Sequence, residues 1–269
     1  MSCNKPVTIL EFVFVLLILS GPVSKAPAQT TERGALTESY FTKPVQLIDL
    51  PTASILRGGQ LRSSLRLFEQ GGLMGRLSVG LSNRMMFGLS YAALHVIGSG
   101  KVDWHQTPGV HFVYRLVEEN LNLPALVLGF DSQGFGPVIY TESGESERYA
   151  NKSRGFYAVV SKNYSSVVDV GLHAGANYSL EKGDHDPNIF MGTDLAVSRD
   201  VGLQIEYDFA INDDVRPDRE SGKGFLNAGV RWAFSNNFYL QFDFKNLLDA
   251  SSDEGIRRIF RVVYHGTVL

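Results

Sequence analysis

The chain has 269 residues, 44% of them apolar and 20% charged, with a formal charge of −3. That length suits one sizeable domain, and the mild acidity offers no electrostatic footprint for nucleic acid. The single cysteine, Cys3, sits at the extreme N-terminus, so the chain beyond it can form neither a disulfide nor a thiolate metal cluster; nor does any later apolar run approach the ~18 residues of a membrane helix.

At the N-terminus Lys5 precedes an apolar stretch from Val7 to Leu19, interrupted by Glu11. Gly21 and Pro22 then break the stretch, and Ala26-Pro27-Ala28 has the small-x-small pattern of a signal-peptidase site. Residues 1–28 therefore read as a secretory signal peptide, and an exported chain without cysteine suits a bacterial envelope. From Gln29 to about Gln46 the sequence is polar and aperiodic. That stretch is accordingly expected to have little order of its own; residues 29–54 are assigned as a periplasmic N-terminal leader, and residues 55–269 as a barrel domain.

The rest of the chain is governed by a period of two. Val201, Leu203, Ile205, Tyr207, Phe209 and Ile211 alternate with Gly202, Gln204, Glu206, Asp208, Ala210 and Asn212, which no helix explains. Leu172, Ala174, Ala176 and Tyr178 likewise alternate with Gly171, His173, Gly175 and Asn177, and Phe238, Leu240, Phe242 and Phe244 with Tyr239, Gln241, Asp243 and Lys245. The pattern predicts twelve strands: Gln60–Phe68, Gly75–Leu81, Met85–His95, Gly109–Val117, Ala125–Ser132, Gly155–Asn163, Val167–Leu180, Asn188–Val197, Val201–Ile211, Gly224–Phe234, Phe238–Leu247 and Ile256–Tyr264. Ser/Asn/Asp turns follow the even-numbered strands, and longer links usually follow the odd ones. An even set of strands of about ten residues, with short turns at one end and long loops at the other, predicts an all-β fold: a closed antiparallel transmembrane β-barrel in the bacterial outer membrane. Closure then requires the first strand to pair with the twelfth, because an open edge in lipid leaves backbone groups unsatisfied. The residues His265 to Leu269 follow the final expected strand and depart from the usual aromatic terminus of such barrels.

A soluble β-sandwich also alternates, but its polar face favours Lys, Glu and Thr, whereas here Gly, Asn, Asp, Gln and Arg dominate. Aromatic residues gather near both strand ends, with Phe87, Tyr164, Trp232, Phe234, Phe238 and Tyr264 at one and Phe130, Phe156, Tyr178, Phe209 and Phe244 at the other. Two such girdles are what membrane interfaces select. With apolar positions facing lipid, the candidate lumen-lining residues are Arg62, Arg66, Arg76, Arg115, Asp131, Asp169, His173, Asp194, Glu206, Asp208, Arg231 and Asp243, joined by His111, Lys245 and Arg261. Basic residues dominate the early strands and acidic ones the seventh to ninth, so the charges either face one another on opposite walls or pair across the bore. Twelve strands leave a narrow interior, which predicts either a closed, salt-bridged lumen or a polar path for a small hydrophilic solute.

Long connections are common sites of function, and the longest, Gln133 to Arg154, either lies on the surface or folds inward as a constriction. Gly183-Asp184-His185-Asp186 reads as a solvated turn rather than a metal site. No catalytic residue and no cofactor are predicted. Gly98-Ser99-Gly100-Lys101 lacks the spacing of a phosphate loop, and no Gly-x-Ser-x-Gly elbow occurs. A lipid hydrolase at the membrane boundary would rest on His95 with Ser90 or Ser99, yet Ser90 has inward parity.

The run Leu47-Ile48-Asp49-Leu50-Pro51-Thr52-Ala53, with Leu56, Gly59 and Leu73-Met74-Gly75-Arg76-Leu77-Ser78-Val79-Gly80-Leu81-Ser82, resembles the opening of YjbH-like bacterial outer-membrane proteins. Leu128-Gly129-Phe130-Asp131, Tyr157-Ala158-Val159-Val160-Ser161-Lys162 and Glu206-Tyr207-Asp208 are similar to later segments of such barrels. The resemblance implies a noncatalytic envelope role connected with extracellular polysaccharide production or export. Expected partners are outer-membrane lipid, the barrel-assembly machinery, and a polysaccharide or small polar solute.

Overall fold

The computed structural model describes residues 43–140, 146–165, 168–182, 185–213, 223–248 and 255–268; the expected signal peptide and the start of the expected leader lie outside them. In chain order the strands are β1 (Gln60–Phe68), β2 (Gly72–Gly80), β3 (Met85–Leu94), β4 (Asp103–Trp104), β5 (Gly109–Val117), β6 (Ala125–Asp131), β7 (Phe135–Tyr140), β8 (Ser146–Asn151), β9 (Gly155–Ser165), β10 (Asp169–Tyr178), β11 (Asn188–Ala196), β12 (Val201–Asp208), β13 (Phe225–Ser235), β14 (Phe238–Lys245) and β15 (Arg257–Thr267). Twelve of them form an antiparallel ring in which β2 pairs with both β1 and β3, and β1 pairs with β15. The fold is therefore the closed barrel that alternation demanded, and the twelve expected strands are its staves. The additional strands are excursions: β4 extends the edge of β3, while β7 and β8 form a separate hairpin inside the longest connection.

Closure follows from the register of the seam. Gln60 to Leu67 of β1 face Thr267 to Phe260 of β15 in unbroken order, so neither strand leaves a free edge along that span. The last strand runs past the expected Tyr264, because His265, Gly266 and Thr267 pair with Arg62, Leu61 and Gln60. Similarly, β2 begins at Gly72 rather than Gly75, since Leu73 and Met74 are already in register with Leu67 and Arg66.

Side-chain direction then divides the residues into two populations. On β12, Leu203 and Ile205 point outward, while Gln204, Glu206 and Asp208 are buried inside. The outer surface carries exposed Leu89, Val110, Leu128, Val160, Leu172, Ile189, Val230 and Phe242, a contiguous apolar belt of the kind that needs hydrocarbon around it. Exposed aromatics border the belt: Tyr164, Trp232 and Phe234 toward the short-turn rim, and Phe156, Tyr178 and Phe244 toward the other. Trp232 and Phe234 pack with ring centroids 4.6 Å apart, and Phe130 and Phe156 at 5.0 Å.

The short-turn rim holds the connections 81–84, 118–124, 197–200 and 236–237, together with the start of β1 and the end of β15. Connections at the opposite rim are longer, apart from the tight turn 69–71. Gly183 and Asp184 of the expected solvated turn lie outside the described residues.

The outward parity gives a direct test. Ile205 is 50% exposed on the apolar belt, whereas Leu121 in the 118–124 turn is 97% exposed outside it. An arginine at a mid-belt lipid position costs about 2–4 kcal/mol and little near the interface. Ile205→Arg is therefore expected to reduce the heat-modifiable, folded fraction on cold electrophoresis strongly, and Leu121→Arg to leave it unchanged. Equal effects would contradict the assigned lipid face.

Candidate functional site

The interior of the barrel is occupied by its own chain. Residues 43–56, most of which were assigned to the periplasmic leader and the first few to its stretch of little order, enter the bore from the short-turn rim and fold back within it. The Leu47 N–H donates to the Leu50 carbonyl at 2.9 Å and the Thr52 N–H to the Val45 carbonyl at 3.2 Å, closing a compact turn. Leu47, Ile48 and Leu50 at its tip are buried. That correction has a physical origin: the turn has no period of its own, and only the barrel wall supplies partners for its backbone.

Glu206 of β12 is the main anchor. Its carboxylate accepts three successive backbone N–H groups, from Ile48, Asp49 and Leu50, each at 3.0 Å, and also the Asn227 amide at 2.8 Å. Consecutive N–H groups converging on one anion form a nest, here with the protein's own carboxylate as the guest. The carbonyls on the same turn are taken from the other side. Arg261 donates to Leu47 O at 3.2 Å and to Ile48 O at 2.6 Å. The Ala53 N–H is accepted by Ser161 Oγ at 2.8 Å. Space for the apolar tip comes from the inward Gly192, where a β-carbon would lie 2.5 Å from Leu47 Cδ1.

Asp49 makes the second attachment. Its carboxylate pairs with Arg66 at 2.7 Å and also with Lys245, all three side chains being buried. Burial by itself would raise the Asp49 carboxyl, but the adjacent Arg66 and Lys245 overcome it and hold the group far below the usual carboxylate range.

From the opposite rim a second obstruction meets the first. Among the described residues of the connection after β6, Gln133 and Phe135 turn inward and are buried. Gln133 accepts the Ser90 hydroxyl at 2.9 Å, and Phe135 lies 4.3 Å beneath the Arg66 guanidinium and 5.4 Å from Lys245 Nζ. The two cations that grip Asp49 thus also rest on the aromatic ring of the loop. The β7–β8 hairpin is laced to its surroundings by Arg148 to Asp213 at 2.8 Å, by Lys152 to the Asn212 carbonyl at 3.0 Å, and by the N–H groups of Tyr149 and Ser153 to Glu181 at 2.8 and 2.7 Å. Of the two alternatives for this segment, the inward constriction is the one observed.

The structure sorts the residues expected to line the lumen. Arg62, Arg66, Arg76, Asp131, His173, Glu206, Asp208, Arg231 and Asp243 are buried within it. Asp194 is half-buried and holds both His173 at 2.8 Å and Arg231 at 3.2 Å. Arg115 is half-buried at the short-turn rim, 3.7 Å from the exposed Glu118, whereas Asp169 is exposed at the start of β10 and lies outside the enclosed interior. Gln241, Ser161 and the plug itself escaped the sequence reading. Ser161 and Gln241 have inward parity, which would have marked them had uncharged polar side chains been counted.

The lumen contains one hydrogen-bonded chain that resembles a hydrolytic triad: Ser161 Oγ lies 2.8 Å from His173 Nδ1, and His173 Nε2 lies 2.8 Å from Asp194 Oδ1. Its serine oxygen already accepts the Ala53 N–H, and Asp194 is shared with Arg231. A nucleophile needs room for an electrophilic carbon about 3 Å away; here that position belongs to the plug. The boundary pair considered from sequence is also separated, since His95 is exposed at the end of β3 while Ser90 is buried inside and bonded to Gln133.

No family model matches the chain. No curated protein matches it either. Among solved structures it is similar to the KdgM porin, at 12% identity over 77% of this chain and 98% of that one, with a TM-score of 0.43. It is also similar to the NanC porin, at 11% identity over 78% and 99% with a TM-score of 0.41, and to Omp33 of Acinetobacter baumannii, at 10% over 77% and 96% with a TM-score of 0.42. The likeness is one of fold.

Breaking the buried ion-pair cluster should be costly, because Arg66 and Lys245 would lose their carboxylate while remaining enclosed. Asp49→Asn is expected to lower unfolding stability by about 3–5 kcal/mol, the range for a broken buried pair. A depressed carboxyl stabilises the fold fully above its unfolded value, near pH 4, and loses that contribution as pH falls toward the folded value. The deficit of Asp49→Asn in urea unfolding should therefore shrink as pH falls below about 4. A deficit that stayed undiminished below about pH 4 would contradict this assignment.

Proposed function

We propose that the chain is a noncatalytic barrel of the bacterial outer membrane that rests closed, with residues 43–56 as its internal plug. The observation that carries this reading is the grip of Glu206 on three successive N–H groups of the plug. It is a site built for one backbone turn, not a chance contact of a loose leader. The apolar belt and aromatic borders support the membrane location, with lipid as the immediate partner. Insertion by the barrel-assembly machinery belongs to the same proposal.

Passage of a small hydrophilic solute is the second reading, and it would require the plug to leave. Its support is the polar space beside the plug: a small void, partly open to solvent, is bounded by Arg154, Asn177, Asp208, Asn227 and Lys245, among others. A role in polysaccharide production or export, implied by the YjbH-like resemblance, would need both the plug and the 132–154 loop to move aside.

Planar-bilayer recording separates these states. The intact protein is expected to show no steady conductance, and a variant lacking residues 43–54 to show discrete channel events. Frequent opening of the intact protein would overturn the closed state. A deletion variant that folds with native heat-modifiable mobility yet stays silent would remove solute passage and leave a closed accessory barrel.

A further inference from the structure

The barrel register assembles a second set of polar groups that the plug does not use. Arg62 on β1 faces Ser78 on β2, Ser78 faces Gly88 on β3, Gly88 faces His111 on β5, and His111 faces Asp131 on β6. All five positions share the inner face, so one cross-strand row spans five neighbouring staves. Arg76 lies two residues from Ser78 on the same face. Gly88 keeps the centre of the row low, since a β-carbon there would stand 2.7 Å from Ser78 Oγ.

The row borders a small polar void, partly open to solvent, against the flank of the plug. Its charges are not balanced from within. Asp131 accepts Arg76 Nη1 at 2.9 Å, which accounts for one cation. Asp49 also borders the void, but Arg66 and Lys245 already hold it, and Arg154 is paired with Asp208 at 2.5 Å. Arg62 is only 3% exposed and has no anionic partner among the described residues. Nε and Nη2 of Arg76 and Nδ1 of His111 are buried without a hydrogen-bond partner in the protein. A buried guanidinium without a counter-charge is strongly unfavourable, and unpaired Arg nitrogens present planar donors suited to an oxyanion.

We propose that this wall binds one small oxyanion, a carboxylate, sulfate or phosphate group, in the space between Arg62, Arg76, Ser78 and His111. The Tyr157 hydroxyl, 3.3 Å from His111 Nε2, borders the same space. The site goes beyond the plugged state proposed above and does not require the plug to move.

Equilibrium dialysis of the full-length detergent-purified protein against radiolabelled sulfate tests it. Saturable uptake near one sulfate per barrel is expected, displaced by glucuronate and not by glucose. Arg62→Gln should weaken uptake at least tenfold and abolish the rise in melting temperature that sulfate gives the wild type, since a ligand stabilises only the state that binds it. Glucuronate displacing sulfate at lower concentration than acetate would identify an acidic sugar as the source of the oxyanion, and equal displacement would identify a free small anion. Absence of saturable uptake by the wild type overturns the proposal whatever the variant's folding, and so does undiminished uptake by a folded Arg62→Gln. A silent barrel that binds sulfate and a conducting barrel that does not keep this site separate from the channel question.

Discussion

A closed ring of strands sends every second side chain into an enclosed space, and in this protein that space receives charges of both signs away from bulk water. The requirement that each be compensated governs the rest of the interior. Some compensation is local, as in His173, Asp194 and Arg231 on neighbouring staves β10, β11 and β13 around β12. More of it comes from chain segments outside the staves. Asp49 neutralises Arg66 and Lys245, which lie on β1 and β14, on either side of β15. Glu206 is satisfied chiefly by backbone N–H groups rather than by a cation. The plug is thus part of the barrel's electrostatic design, and a lumen of this composition without it would leave a carboxylate, two cations and an arginine short of partners.

The amount of this arrangement legible in the sequence follows from its physics. Alternation is a local property of a strand facing lipid on one side and polar groups on the other, so Val201 to Asp208 declared itself and the twelve staves emerged with their pairing order. The ends of strands depend on cross-strand partners instead. Tyr264 looked terminal because His265 and Gly266 are not apolar, yet both pair with β1 across the seam. The lumen charges were legible as a set because parity alone assigns them. Their partners were not, because Asp49 of the plug meets Arg66 of the wall inside the bore and no spacing in one dimension encodes that contact. The plug was the least visible element: Leu47 to Leu50 has neither period nor flanking strand, and its order comes from Glu206 and Arg261, both more than 150 residues away in sequence.

The Ser161, His173 and Asp194 chain shows why geometry needs context. Two hydrogen bonds of 2.8 Å resemble the orientation of a nucleophile by an imidazole and a carboxylate. Here the chain ends on the backbone of the plug, and Arg231 shares its carboxylate. The same physics that would activate a hydroxyl serves to order an acceptor for Ala53. Chemistry depends on what can reach the oxygen, and in this lumen the molecule's own backbone has reached it first.

The seam between first and last staves bears on how the molecule can be made. Residues 43–56 precede β1 and leave the ribosome early, but Glu206, Lys245 and Arg261 arrive only with the final quarter of the chain. Arg66 on β1 and Ser161 on β9 are made earlier, but the attachments of the segment are complete only once β12, β14 and β15 exist, and β15 is also the stave that shuts the ring. Seating the plug and sealing the cylinder are therefore late events in the same stretch of biogenesis, and a chain stalled before its last hairpin would carry a naked tether instead of a stopper.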